Sequence, residues 1–280
     1  MSDFRFPEFD DLPTVQGQPK GCLWGFFDVD GEKDQLGTLR LLTEEVVRKA
    51  KDEIQTGVRV QLDWPLHNVE YPGFGRIPLQ HDIKDLAEEG FVGFDDVITL
   101  NTQSSSQWDG LKHLSWWEHH NPGLEAPSPI TCHKIPVSEL EAALAFQGTE
   151  LKQGDILIVR SGFVRWHNNA EASVRSLGTK ERQYVIGLAN NEETVKWLYS
   201  KHFSAVAGDT MGFEAWPFPE GCCLHEWLLV QWGTPIGELW DLETLAEQCK
   251  THKRWSFFLT SAPLRLVGGV ASPPNAVAMF

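Results

Sequence analysis

The chain has 280 residues, 41% of them hydrophobic and 12 of them tryptophan, so it can bury a substantial core. Its formal net charge of −15, with no run of lysine or arginine to offset it, argues against nucleic acid, because a phosphate backbone would be repelled. No apolar run approaches the length of about 18 residues that a membrane span needs, and residues 1–11 lack the basic and then apolar pattern of a secretory leader. The five cysteines, Cys22, Cys132, Cys222, Cys223 and Cys249, are odd in number and form no pair of CxxC spacings, so a reducing, cytoplasmic setting is the simplest expectation.

No internal repeat or low-complexity tract divides the chain, and residues 1–280 read as one domain with residues 1–22 as an extended arm. Thr43 predicts a helix cap, with Glu44 and Glu45 against the dipole and Gly57 as the stop. A strand is expected over residues 58–63, where Val58, Val60 and Leu62 alternate with polar neighbours, and another over residues 97–100. Ser138 and Glu141 have capping-box spacing ahead of a helix that Gly148 ends. The continuous apolar run 156–159 reads as a strand covered on both faces. Asn191, Glu192 and Glu193 open a helix with Val195, Leu198 and Tyr199 inward, and a short strand at 205–207 ends just before Asp209. Asp241 is expected to cap a helix through Ala246, and strands at 256–259 and 264–267 close the chain. The alternation indicates an α/β fold with a mixed sheet.

The most informative stretch runs Gln103-Ser-Ser-Ser-Gln107-Trp-Asp109-Gly-Leu-Lys-His113, polar residues where a strand ends. A carboxylate followed four residues later by histidine can present both to one cavity. From spacing alone, a capped helix start with ordinary surface polar groups is the commoner reading.

The same stretch resembles the motif of the cyclase-family metal-dependent hydrolases, the group that holds bacterial-type kynurenine formamidase and isatin hydrolase. That motif, His-x-Gly-Thr-His-x-Asp-x-x-x-His, is matched at Asp109 and His113, with Gln103 and Gln107 at the first two histidine positions and Ser105 and Ser106 for Gly-Thr. With Leu36-Gly-Thr-Leu and Leu62-Asp-Trp-Pro upstream, the variant looks like a fungal cyclase-like branch, and the likeness runs from about residue 23 to 280. Downstream, His225 and Glu238 resemble the second ligand pair, Asp209 a strand-end aspartate, and Gly268-Gly-Val-Ala-Ser-Pro the terminal signature.

The resemblance implies a swivelling β/β/α domain with a mixed, barrel-like central sheet and peripheral helices. It implies one divalent ion held by Gln103, Gln107, Asp109, His225 and Glu238, with Asp109 and His113 in catalytic roles. Amide oxygens in place of two imidazoles weaken a zinc site and favour harder ions, so manganese, zinc or magnesium are the candidates. The expected partner is a small apolar or aromatic substrate with an amide, ester or lactone bond, and the chain is expected to form a homo-oligomer. A non-hydrolytic cyclase, lyase or isomerase of secondary metabolism and a metal-free binding protein are the alternatives. Trp64, at a strand end, and Trp108, inside the motif, are the candidates for substrate contact. Relatives carry a longer segment between the His113 region and Ser138, and Trp116, Trp117, Glu118, His119 and His120 within the shortened one read as a lid or a loop. Cys222 and Cys223, beside His225, read as small apolar residues rather than ligands.

Overall fold

The computed structural model describes residues 4–87, 90, 92–111, 128–181, 184–217 and 221–280. The N-terminal arm lies against the body of the protein: Phe6 stacks on Phe26 and His202, and the Tyr199 hydroxyl donates to the Pro7 carbonyl at 2.7 Å. Thr43 accepts from the Val46 N–H at 3.3 Å and starts α1 (Glu44–Ala50), as its sequence predicts. Gly57, at φ 76°, turns the chain into β1 (Arg59–Gln61), with Val60 inward. β2 (Gln80–Asp85) and β3 (Phe94–Thr99) form an antiparallel hairpin exposed along its length.

β4 (Gln107–Asp109) and β5 (Lys134–Ile135) precede α2 (Val137–Gln147). The expected capping box is not formed. Pro136 is the residue before the first turn, so Ser138 is already helical, and Glu141 instead accepts from the Trp197 indole N–H. Gly148 ends α2 at φ 63°. β6 (Ile156–Val159), α3 (Phe163–Asn169), α4 (Ala172–Ser176) and β7 (Gly187–Leu188) follow. Asn191 caps α5 (Glu192–Lys201) by accepting from the Thr194 N–H at 2.9 Å, and Val195, Leu198 and Tyr199 are buried as expected.

After β8 (Ala205–Gly208) comes a π-helical stretch, Glu226–Trp232, then β9 (Ile236–Glu238) and α6 (Glu243–His252). Asp241 accepts from the Glu243 N–H at 3.2 Å, but Leu242 stands at the cap and the helix continues past Ala246 to His252. β10 (Phe258–Ser261), β11 (Ala271–Ser272) and β12 (Ala276–Met279) close the chain. Residues 264–267 form an exposed turn, not the expected strand, because Leu266 and Gly269 bond back within the segment rather than to a neighbouring strand.

The fold is α/β with mixed sheets. The central sheet has the order β11-β4-β9-β8-β6, antiparallel on the β4 side and parallel from β9 to β6. The barrel-like sheet is not found: among the described residues β11 and β6 are open edges, with no strand joining them. Instead a second sheet, β1-β12-β10, supplies Val60, Ala276 and Ala278 to a core shared with Ala207 of β8 and with Trp240, which follows β9.

Candidate metal and active site

The antiparallel pairing of β4 with β9 sets Gln107 opposite Glu238 and Asp109 opposite Ile236. Because strand side chains alternate, Gln107 and Asp109 share one face of β4 and Trp108 takes the other. His225, at the start of the helical turn before the π-helical stretch, brings Nε2 to 3.0 Å from Glu238 Oε1. One ligand atom each from Asp109, His225 and Glu238 then lies within 4.8 Å of the others. The Gln107 amide N–H₂ bridges the carboxylates, 2.9 Å from Glu238 Oε2 and 3.1 Å from Asp109 Oδ1, and Gln103 Nε2 donates to the same Oδ1 at 2.8 Å. Gln107 Oε1 is buried without a hydrogen-bond partner.

The loop before β4 is locked by its serines. Ser106 Oγ accepts from the Trp64 N–H at 2.7 Å and donates to the Leu239 carbonyl, Ser105 donates to the Trp64 carbonyl at 3.3 Å, and Ser104 donates to the Asn101 carbonyl at 2.8 Å. Arg76 Nη1 donates to the Gln103 carbonyl at 2.7 Å, tying a further segment to the site. Leu239, next to Glu238, holds φ 54°, a left-handed conformation that is unfavourable for leucine and persists because Thr210 and Ser106 bond its backbone.

Burial, and then the neighbouring charge of Asp109, push the Glu238 carboxyl up to about 7, against the pull of His225 and Arg76. Burial acts to lower the His225 imidazole, but hydrogen bonds to Glu214 and Glu238 hold it well above its ordinary value. Glu214 was not singled out by sequence reasoning, yet its Oε1 lies 2.7 Å from His225 Nδ1. The signal available was a carboxylate set between Phe213 and Ala215 in an otherwise apolar stretch.

The five residues expected to hold an ion therefore gather in one place, while His113 and residues 116–120 lie outside the described residues. The two tryptophans expected to contact substrate lie apart from this group. Trp108 packs edge-on against Trp240 and donates to Ser261 Oγ at 2.9 Å, on the opposite face of β4 from Asp109, so alternation turns it away from the carboxylates. Trp64 is 1% exposed, edge-on to His167 and bonded to Asn168, which leaves it no surface for a ligand. Asp209 accepts from the Ser161 N–H, the Ser161 hydroxyl and the Gly162 N–H at 2.6–2.8 Å, which clasps the turn into α3. Burial pushes the Cys222 thiol up to about 11 and Cys223 higher still, so neither is a ready thiolate ligand.

A family profile described as "Putative cyclase" matches residues 60–215, more than half of the chain, and takes in Gln103, Gln107 and Asp109. A crystal structure described as a novel cyclase is 27% identical with TM-score 0.78, covering 92% of this chain and 99% of its own. Isatin hydrolase A from Ralstonia solanacearum is 15% identical with TM-score 0.58, covering 84% of this chain and 97% of its own. An isatin hydrolase bound to the product analogue thioisatinate is 14% identical with TM-score 0.61, covering 85% and 99%. At those identities the two hydrolases share the fold. Comparison with curated proteins gives no significant match. With its profile match extending across β1 to β8, the chain belongs to the cyclase family.

Proposed function

We propose that the chain is a metal-dependent hydrolase that opens an amide, ester or lactone bond in a small apolar or aromatic molecule. The observation that carries this reading is the convergence of Asp109, His225 and Glu238 from separate segments, with their ligand atoms within 4.8 Å. The residues fit a cation. Two carboxylates are buried side by side, the charge of Asp109 helps to raise the Glu238 carboxyl, and Gln107, whose amide nitrogen bridges them, keeps a buried amide oxygen without a partner. Asp109, His225 and Glu238 would hold one divalent ion, with Gln103 and Gln107 offering neutral oxygens, a set suited to manganese or magnesium as much as zinc.

When bound, such an ion supplies Lewis acidity towards a carbonyl oxygen and towards water. The chain's own part is positional. The Gln103 and Gln107 amides orient Asp109, and the serine-locked loop fixes both amides relative to β9. Asp109 is the proposed base at the site, and His113, outside the described residues, is the proposed proton carrier to the leaving group. His113→Ala is expected to retain metal and fold while losing about 10²–10⁴ in turnover. Kynurenine formamidase-like and isatin hydrolase-like substrates, a swivelling β/β/α arrangement, self-association and a fungal, cytoplasmic origin belong to the same proposal.

One observation favours a second reading, a metal-free small-molecule-binding protein: the Gln107 amide already bridges both carboxylates. Metal analysis of purified protein, before chelation and after reconstitution with manganese or zinc, separates the two. Reconstituted protein would then be assayed on aryl amides, esters and lactones in ¹⁸O-labelled water. Stoichiometric metal and one labelled oxygen per product support the hydrolase. Unlabelled, rearranged product would mean a cyclase, lyase or isomerase instead, and a protein that takes up no metal would sink the first reading.

A further inference from the structure

Glu214 is almost wholly buried, 1% exposed, and touches neither Asp109 nor Glu238 in any hydrogen bond of the site. A buried carboxylate is costly unless its surroundings repay the lost hydration, so its partners indicate what it is for. One oxygen, Oε1, receives the His225 backbone N–H at 2.8 Å and stands 2.7 Å from the same residue's Nδ1. The other, Oε2, receives the Leu224 N–H at 2.6 Å and the Asn190 side-chain amide. Glu214 thus grips His225 by its main chain and its ring together, which fixes the ring's rotation as well as its position.

The grip is itself anchored. The Leu188 N–H donates to the Phe213 carbonyl at 3.1 Å and the Ala215 N–H donates back to Leu188 at 3.0 Å, so β7 holds the backbone on both sides of Glu214. That approach needs Gly187, where an added Cβ would stand 2.3 Å from the Glu214 carbonyl carbon. At the far end of the imidazole, Nε2 faces Glu238 at 3.0 Å. A carboxylate can only accept at Nδ1, so Nδ1 keeps its proton, and a cation that displaces the proton between Nε2 and Glu238 meets the lone pair of Nε2.

We infer that Glu214 is the positioning residue of the metal centre: it holds the proton of His225 on Nδ1 and so presents Nε2 as the donor towards Asp109 and Glu238. This rests on the metal reading of the site. Partners of this kind orient a ligating histidine, and their loss typically weakens metal affinity about 10–100-fold. Glu214→Gln is nearly isosteric but can set an amide N–H₂ against Nδ1, which removes the proton from Nδ1 and leaves the one facing Glu238 on Nε2, where it blocks coordination.

The test pairs zinc titration calorimetry with long-range ¹H–¹⁵N spectra of histidine-labelled protein, folding being checked by circular dichroism. Wild type is expected to bind zinc with the His225 proton on Nδ1. Glu214→Gln should bind zinc about 10–100-fold more weakly, and in metal-free protein it should lose the proton on Nδ1 while Nε2, facing Glu238, keeps its own; a general loosening of the fold would not deprotonate one ring nitrogen selectively. Equal zinc affinity in wild type and Glu214→Gln overturns the inference alone. Failure of wild type to bind zinc, manganese or magnesium overturns the metal reading and the inference with it. Should the variant not fold, ¹¹³Cd-loaded wild type decides: coupling of cadmium to Nε2 supports the inference, and coupling to Nδ1 overturns it.

Discussion

Asp109 and Asp209 are both fully buried, one on β4 and the other just past β8 of the same sheet, yet they are set in opposite surroundings. Asp209 accepts three donors from Ser161 and Gly162, fixed dipoles that work against the upward push of burial on its carboxyl, and it clasps the turn into α3. Asp109 shares the donor group of Gln107 with a second carboxylate, Glu238, and its charge contributes to raising that neighbour's carboxyl. Burial is common to the two. What separates the structural Asp209 from the proposed ligand Asp109 is the further anion, Glu238, that lies beside Asp109.

Substitution should break the comparison in opposite ways. Asp109→Asn removes an anionic ligand and is expected to weaken zinc or manganese binding on the order of 10³-fold in calorimetry. In chelated protein the same change relieves like-charge repulsion, so urea unfolding should show stability unchanged or raised. Asp209→Ala leaves three donors without their acceptor and should lower stability by about 3 kcal/mol while the folded fraction binds metal as wild type does. If Asp209→Ala instead abolished metal binding without loss of stability, the division between the two aspartates would fail.

The histidines extend the contrast. His225 lies between two carboxylates, whereas His167 sits against Trp64 and Phe163, where burial, helped by the charge of Arg175, pushes its imidazole down to about 4. A depressed histidine contributes stability that is present above about 6.5 and lost as pH falls from there towards 4. His167→Phe should therefore flatten this part of the acid limb by about 2 kcal/mol between pH 6.5 and 4, read by unfolding at fixed temperature. A parallel downward shift at every pH would mean that the ring acts through packing alone.

The smallest expected effect concerns the amides that distinguish this site. Gln103→His with Gln107→His should raise zinc affinity about tenfold, because imidazole is the better zinc donor. Turnover need not follow, since the native set suits a harder ion. Unchanged zinc affinity in the folded double variant would show that the two amides hold Asp109 or substrate instead of the ion.

Local pattern was enough for the helix starts at Thr43 and Asn191, the stop at Gly148 and the strand over 156–159, because caps, left-handed glycines and continuous apolar runs act over a few residues. It was not enough at Ser138, where Pro136 starts the helix sooner, or over 264–267, where a β-like sequence finds no strand to pair with. Motif resemblance brought Gln103, Gln107, Asp109, His225 and Glu238 forward as a set, and the pairing of β4 with β9 brings them together.

Tertiary structure alone decided which tryptophans are core, since the alternation of β4 turns Trp108 away from Asp109 and helix α3 closes over Trp64. It also decided the place of Glu214, whose partners come from residues 190 and 223–225 and whose backbone is held by β7. A sequence specifies which groups can donate, accept or carry charge. Whether a carboxylate meets a dipole, another anion or an imidazole depends on contacts between distant segments, and those contacts set its protonation and its role.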